Sequence, residues 1–210
     1  MKKILFDIGH PAHVHLFKNL IFYLKDKNYP FFVTTRNKDI THNLLSHYNI
    51  PFTCISKAAK SNIISMIFEL FVRNIRLIKL CVNEKIGIGI GTSVSISHLS
   101  FFSFGSFKSY NIGEDDDAVV PLLCYSTYPF TTKIINPNCL EFKHWKKKRV
   151  LHPSYHELAY LHPNNFKADE NIIKKYGLKK NNYIVFRFSA LTAHHDSKAK
   201  GISPQLKGDI

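Results

Sequence analysis

Three histidines follow the first apolar run of the chain at close spacing: His10, His13 and His15, in the segment DIGHPAHVH. Imidazole changes charge near neutral pH, so these side chains can act as a general base or bind a phosphate or sugar hydroxyl. We expect Gly9 to let the backbone turn tightly, and His10 and His13 to be functional. His15 is the weakest candidate because it already lies on a helix. The competing interpretation is that the histidines only cap and pack the turn. We expect no metal, since no nearby carboxylate other than Asp7 completes a ligand set.

A second group of polar residues follows the apolar run YIVFRF near the end of the chain. Its candidate ligand-binding residues are Arg187, Ser189, His195, Asp196 and Gly201. An arginine at the end of a strand can pair with a diphosphate through two hydrogen bonds. The alternative is a surface loop with a structural arginine.

Two further polar segments follow predicted strands. The first is the acidic run Glu114–Asp117, with Asp115 and Asp116 at its centre. Its carboxylates can bind a metal ion or a substrate hydroxyl, or they can cap a helix, and the sequence does not decide between these roles. The hydroxyls of Thr92 and Ser93 follow Gly91 and can contact a ligand. The alternating glycines before them do not form the GxGxxG pattern of a dinucleotide site.

Alternating strands and helices have to position these residues. Short apolar runs predict strands at Lys3–Ile8, Pro30–Thr35, Pro51–Ile55, Ile86–Ile90, Tyr110–Ile112 and around Ile134. Helical spacing predicts helices at His13–Asp26, from a cap at Asp39 to Tyr48, at Asn62–Val82 and at Ser93–Ser100. This order predicts an α/β fold with a Rossmann-like parallel sheet. Ligands of such sheets bind at the carboxyl ends of the strands, where helix amino termini favour anions.

The predicted organisation has three parts. Residues 1–136 form a Rossmann-like domain, residues 137–180 an interdomain connection, and residues 181–210 the truncated start of a second domain that opens with a buried strand at Tyr183–Phe188. The connection contains prolines and the basic run Lys143–Arg149, which is typical of a solvated face or a linker.

Charge and hydropathy leave several partners open. The formal net charge of +14 is compatible with anionic surfaces or phosphorylated substrates, or simply with a lysine-rich proteome. The helix Asn62–Val82 is the best candidate for peripheral membrane contact, although we favour a core-facing role for it. We do not expect nucleic acid as a partner, since no aromatic stacking platform lies among the basic residues. The four cysteines are not spaced as metal-binding pairs, and the amino-terminal apolar run is too short for a signal peptide. We therefore expect a cytoplasmic protein. If it contacts a membrane, we expect the inner membrane surface.

The sequence closely resembles an uncharacterised family of archaeal and bacterial proteins described as glycosyltransferase-like. The resemblance rests on KKILFDIGHPAHVHLFKNLI and VTTRNKDITHNLL, then IGTSVSISHLS, EDDDA and INP, and finally SYHELAYLHPNNF and YIVFRFSALTAHHD. That family is similar to GT-B glycosyltransferases and UDP-N-acetylglucosamine 2-epimerases. The resemblance implies two Rossmann-like domains facing a cleft, with a nucleotide-sugar as substrate and no other cofactor.

On this analogy the amino-terminal domain binds a glycan or lipid-linked acceptor. Gly9, His10 and His13 line the cleft, with His13 the favoured base, and the loop from Arg187 to Gly201 binds the diphosphate. We expect the chain to be active in polysaccharide synthesis only with its missing carboxyl-terminal half. Three origins stay open: a fragment, a frameshifted gene, or a split protein whose other half is a separate chain. The alternatives are a UDP-sugar 2-epimerase and a non-catalytic basic binding module.

Overall fold

A computed structural model describes residues 2–57 and 63–186. The chain divides into two compact units, Met1–Phe166 and Lys167–Ile210. The predicted diphosphate-binding residues Arg187, Ser189, His195, Asp196 and Gly201 lie outside the described residues.

The first unit contains a seven-stranded sheet with the order β3-β2-β1-β4-β5-β6-β7. Its strands are β1 (Lys3–Ile8), β2 (Phe31–Asn37), β3 (Thr53–Lys57), β4 (Ile86–Gly91), β5 (Lys108–Ile112), β6 (Lys133–Pro137) and β7 (Arg149–His152). Each neighbouring pair is parallel. The predicted Rossmann-like α/β class is therefore confirmed.

Helices connect successive strands and cover both faces of the sheet. In the first unit they are α1 (Pro11–Asp26), α2 (Thr41–His47), α3 (Ile63–Asn83), α4 (Val94–Phe102), α5 (Pro121–Thr127) and α6 (Leu158–Leu161), with a 3-10 turn at Lys146–Lys148. The second unit contains α7 (Glu170–Lys175). Asp169 caps the amino terminus of this helix, and its side chain accepts a hydrogen bond from the Asn171 amide.

Three apolar clusters form the core of the described residues, and two of them lie on β1, one on each face. Phe6 and Ile8 pack with side chains of α1 and α2, whereas Leu5 packs with Leu77 of α3 and Ile96 of α4. Successive side chains of a strand point to opposite faces, and both faces of β1 are covered, so its residues after Lys3 are apolar except for the buried Asp7. This burial fixes the position of the carboxyl end of β1.

The region after residue 136 is more closely attached to the sheet than a connecting segment would be. Strand β7 pairs with β6, and the compact unit extends to Phe166. The basic run is not a solvated face over its whole length, because Lys148 Nζ donates to the carbonyls of Tyr128, Pro129 and Thr131 at 2.7–3.0 Å. The domain boundaries themselves remain a prediction.

Two local predictions are wrong in the described residues. Asp39 does not cap α2; it lies in the left-handed region with a φ of 48°, and the helix starts after Ile40 without a side-chain cap. The described part of the predicted buried strand, Tyr183–Phe186, is exposed and is not a strand. An apolar run forms a strand only beside a partner, and none of the described strands pairs with this one.

The long helix α3 fits the core-facing prediction only in its second half. Leu77 and Cys81 are buried there, whereas Ile64, Ile67, Phe68 and Phe71 in the first half are exposed. No helix among the described residues is long and apolar enough to cross a membrane.

Candidate functional site

The candidate site lies where β1, β4 and β5 end. The strand order reverses between β1 and β4, so the connections that follow these two strands leave on opposite faces of the sheet. This switch point is where open α/β sheets bind ligands. The segment after β1 supplies His10 and His13, the segment after β4 supplies Thr92, and the segment after β5 supplies Glu114.

His10 forms the amino-terminal cap of α1. Its backbone is extended, its Nδ1 accepts a hydrogen bond from the Ala12 amide at 3.2 Å, and Pro11 occupies the first turn. Both features favour a helix start at this point. The ring of His10 lies 5.7 Å from that of His13. The structure thus shows a capping role for His10, and its catalytic role remains a prediction.

His13 is largely buried and has polar partners from two other segments. Thr92 Oγ1 lies 3.1 and 3.2 Å from its two ring nitrogens, so the tautomer decides which nitrogen pairs with the hydroxyl. Its Nε2 lies 3.6 Å from Glu114 Oε1, and the same carboxylate oxygen lies 3.4 Å from His156 Nδ1. One carboxylate therefore faces two imidazoles from distant parts of the sequence.

Burial keeps the imidazole of His13 neutral at neutral pH. Burial lowers the pKa of His13 below its ordinary value of 6.5, and the negative charge of Glu114 opposes this only in part. Burial alone would raise the pKa of Glu114, but its hydrogen bond with His156 and the nearby histidines hold that pKa below its ordinary value. A neutral imidazole beside an ionised carboxylate can accept a proton and be stabilised once charged.

A cavity of about 380 Å³ opens beside Glu114. The residues that line it come from α1, the segments after β5 and β6, and the segment around α6: Ala12, Leu16, Glu114, Asp115, Pro137, Cys139, Leu140, Tyr155, His156, Glu157 and Tyr160. Segment 154–161 is held against α1 by a hydrogen bond of 2.6 Å from Asn19 Nδ2 to the Ala159 carbonyl. His156 Nε2 is buried without a hydrogen-bond partner among the described residues. A cavity of this size, with both polar and apolar groups on its wall, can hold a small polar molecule.

Behind the site, Asp7 is fully buried and ion-paired with Arg73 of α3. The carboxylate also accepts hydrogen bonds from Thr34 Oγ1 at 2.8 Å and from Ser93 Oγ at 2.5 Å. Arg73 in turn donates to Ser56 Oγ at 2.6 Å. Ser93, which also caps α4, is thereby anchored next to Thr92. Its predicted ligand contact is untested, but its hydroxyl proton is already donated to Asp7.

The acidic run divides into residues that face the cavity and residues that hold a loop. Asp115 lines the cavity with Glu114. Asp116 accepts the Glu141 amide at 2.7 Å, and Asp117 accepts two backbone amides of the same loop. The helix-cap alternative is wrong, because α5 begins after Val120 with no side-chain cap.

Gly9 has a different role from the one expected. It is not among the residues with positive φ, so the turn itself does not require glycine. A Cβ at this position would meet no atom within 4 Å. The space beside the backbone of Gly9 is therefore open, next to the amino terminus of α1.

Sequence reasoning gave no role to two residues that the fold brings to the site. Glu114 was considered only as part of the acidic run, and His156 lies in a segment that carried a family resemblance but no chemical assignment. His15 lies between the rings of Tyr48 and Tyr160, consistent with its weaker candidacy. Within 2–57 and 63–186, no group of three or more His, Cys, Asp or Glu has a geometry that could hold a metal ion.

Comparisons with known proteins agree on the family and the fold. The model of the family described as "Protein of unknown function (DUF354)" matches residues 2–206. Comparison with curated protein sequences gives no match. Among solved structures, S. aureus MnaA with UDP has a TM-score of 0.57 at 14% identity and covers 84% of this chain and 52% of its own.

Two other solved structures show the same relation. MurG of Acinetobacter baumannii has a TM-score of 0.54 at 10% identity, covering 72% of this chain and 45% of its own. The Anabaena protein HepE with UDP-glucose has a TM-score of 0.51 at 11% identity, covering 84% and 50%. The chain thus spans about half the length of these proteins. At these identities the likeness shows a shared GT-B-type fold.

Proposed function

Since the chain belongs to the DUF354 family and has a GT-B-type fold, we propose that it is the acceptor-binding half of a glycosyltransferase that uses a nucleotide-sugar. The observation that carries the proposal is the arrangement of His13, Thr92, Glu114 and His156 beside a cavity at the switch point of the sheet.

In this proposal His13 is the general base. Its neutral imidazole takes the proton of an acceptor hydroxyl, whose oxygen bonds to the anomeric carbon of the sugar. The bond from that carbon to the diphosphate breaks, and the nucleoside diphosphate leaves with the electron pair. Glu114 stabilises the imidazolium that forms, and Thr92 fixes the orientation of the ring.

The acceptor would be a glycan or a lipid-linked sugar bound in the cavity. Tyrosine rings on the cavity wall can pack against the faces of a sugar, while Glu114, Asp115 and His156 can bind its hydroxyls. The donor would bind a second Rossmann-like domain of the whole protein.

A second candidate function is supported by the same likeness. S. aureus MnaA is solved with UDP, and other similar structures are named UDP-N-acetylglucosamine 2-epimerases. In an epimerase, a base at the position of His13 would take a proton from a ring carbon of the sugar instead of a hydroxyl. The two functions differ in product, because transfer releases the nucleoside diphosphate and epimerisation retains it.

Nucleotide protection against thermal unfolding tests the proposal. The chain is produced together with a carboxyl-terminal Rossmann-like donor domain, and the melting temperature of the assembled protein is measured with UDP-glucose and with UDP-N-acetylglucosamine. A ligand at about a hundred times its Kd adds roughly 2.7 kcal/mol of stability, which raises Tm by about 5–10 °C for a protein of this size.

Glucose 1-phosphate, which lacks the nucleoside, is the matched control and should give no shift. The absence of a shift with every nucleotide-sugar would refute the proposal. If protection is seen, chromatography of the products decides between released UDP, which supports transfer, and an isomeric UDP-sugar, which supports epimerisation.

A further inference from the structure

The first half of α3 has its apolar side chains on the outside. Ile64, Ile67, Phe68 and Phe71 are 82%, 62%, 68% and 63% exposed. At 100° per residue these four positions fall within about 100° of one another around the helix axis. They form a continuous apolar stripe, which we call the outer face of α3. A helix of a globular domain normally turns such a stripe toward the core.

The inner face of the same two turns is charged. Glu69 accepts hydrogen bonds from Arg36 at 2.5 Å and from Ser56 at 3.0 Å, and Arg73 forms the buried pair with Asp7. Arg73 lies half a turn around the helix from Ile64. Rotating the helix to bury its phenylalanines would break these buried charged contacts, so the fold itself holds the outer face toward solvent.

This surface lies toward the edge of the sheet at which the strands carry the candidate site. Arg36 is near the carboxyl end of β2 and Asp7 near the carboxyl end of β1, so their contacts place the first half of α3 along the edge of the sheet where His13 lies. A partner on the outer face would therefore lie toward the same edge of the sheet as the cavity, on the opposite face from α1.

The charge of the surroundings indicates which partner fits. In the sequence of α3, Glu69 is the one carboxylate, and it faces inward, whereas Arg76 and Lys79 are exposed. Lys57, at the end of β3, is exposed as well, and the whole chain carries a formal net charge of +14. Two copies with this charge would repel each other, but an anionic bilayer attracts it and accepts inserted aromatic side chains.

We propose that the outer face of α3, with Phe68 and Phe71 as its inserted side chains, binds the surface of an anionic lipid bilayer. The inference goes beyond the proposed function and does not require it.

Vesicle co-sedimentation tests this inference directly. The 210-residue chain is mixed with vesicles of phosphatidylcholine containing phosphatidylglycerol, and with vesicles of phosphatidylcholine alone. We expect sedimentation with the anionic vesicles, weaker binding to the neutral ones, and loss of binding as salt is raised. The double variant Phe68→Glu/Phe71→Glu should bind at least about tenfold more weakly, because it removes the inserted apolar area and adds negative charge.

Tyr23→Glu is the matched control, since Tyr23 is a similarly exposed aromatic residue on α1, which packs on the opposite face of the sheet. It should retain binding, and circular dichroism should show that all variants are folded. Equal binding by the double variant would overturn the proposal. So would a chain that ignores vesicles but sediments as a dimer that the double variant dissociates. Neither outcome depends on nucleotide-sugar protection, so the two proposals can fail separately.

Discussion

Removing one partner of the buried ion pair between Asp7 and Arg73 tests the fold behind the site most sharply. Asp7 is fully buried and Arg73 is 5% exposed. In Arg73→Met the side chain keeps most of its length but loses the guanidinium. The carboxylate of Asp7 is then left with the hydroxyls of Thr34 and Ser93 as its remaining donors among the described residues.

The expected loss follows from the burial of both partners. Removing one member of a buried ion pair costs about 3–5 kcal/mol, because the other charge is left without its partner. For a chain of this size each kcal/mol lowers Tm by roughly 2–4 °C, so the loss corresponds to about 6–20 °C. Arg76→Met is the matched control. Arg76 is exposed and donates one hydrogen bond, to the Ile55 carbonyl at 2.6 Å, so its loss should cost less than about 1.5 kcal/mol.

Urea denaturation followed by the fluorescence of Trp145, the single tryptophan, measures both variants. The double variant Asp7→Asn/Arg73→Met should recover roughly half of the loss, since it leaves no unpaired charge. An effect of Arg73→Met no larger than that of Arg76→Met would refute the reasoning. It would mean that the pair does not fix α3, and the argument for its outward apolar face would lose its basis.

Three further predictions concern the site and its support. Gly89→Ala should lower the free energy of unfolding by about 1–3 kcal/mol, because the new Cβ would lie 2.3 Å from Cζ of the buried Phe107 ring. In the same urea assay, Gly9→Ala should change this free energy by less than about 1 kcal/mol, because its Cβ would meet no atom within 4 Å. Glu114→Gln should lower the pKa of His13 further by removing a negative charge, and an NMR titration of the ring protons that shows an unchanged or raised pKa would contradict this. Because the pKa of His13 in the folded chain is below 6.5, the unfolded chain binds this proton at a higher pH than the folded chain does. The free energy of unfolding should therefore fall as the pH drops below 6.5. His13→Gln should weaken that fall, as measured by urea midpoints at several pH values.

The sequence predicted the fold well because its signals are local. The six apolar runs predicted as strands up to Ile134 all became parallel strands, and β1 is the clearest case. It failed where tertiary contacts override local pattern. Arg149 belongs to a basic run, yet it enters β7 because its side chain donates to the carbonyls of Pro137 and Leu140 across the connection.

The candidate site could be predicted only in part for the same reason. His10 and His13 were found because they stand at a strand end, a position that spacing reveals. His156 has no such signal, since it reaches Glu114 only through the pairing of β6 with β7 and the docking of α6 on α1. For α3 the sequence favoured a core-facing role over an outward one, because helical periodicity shows that an apolar stripe exists but does not show which way it faces.

The most direct measurement is the turnover of a nucleotide-sugar by the completed enzyme when His13 is replaced by glutamine. If His13 is the general base, His13→Gln should reduce turnover by about 10²–10⁴-fold while leaving the melting temperature nearly unchanged. His15 lies two residues after His13 on α1, between the rings of Tyr48 and Tyr160, and His15→Gln should retain turnover. Unchanged turnover in His13→Gln, or a loss of activity that merely follows a loss of stability, would contradict the account.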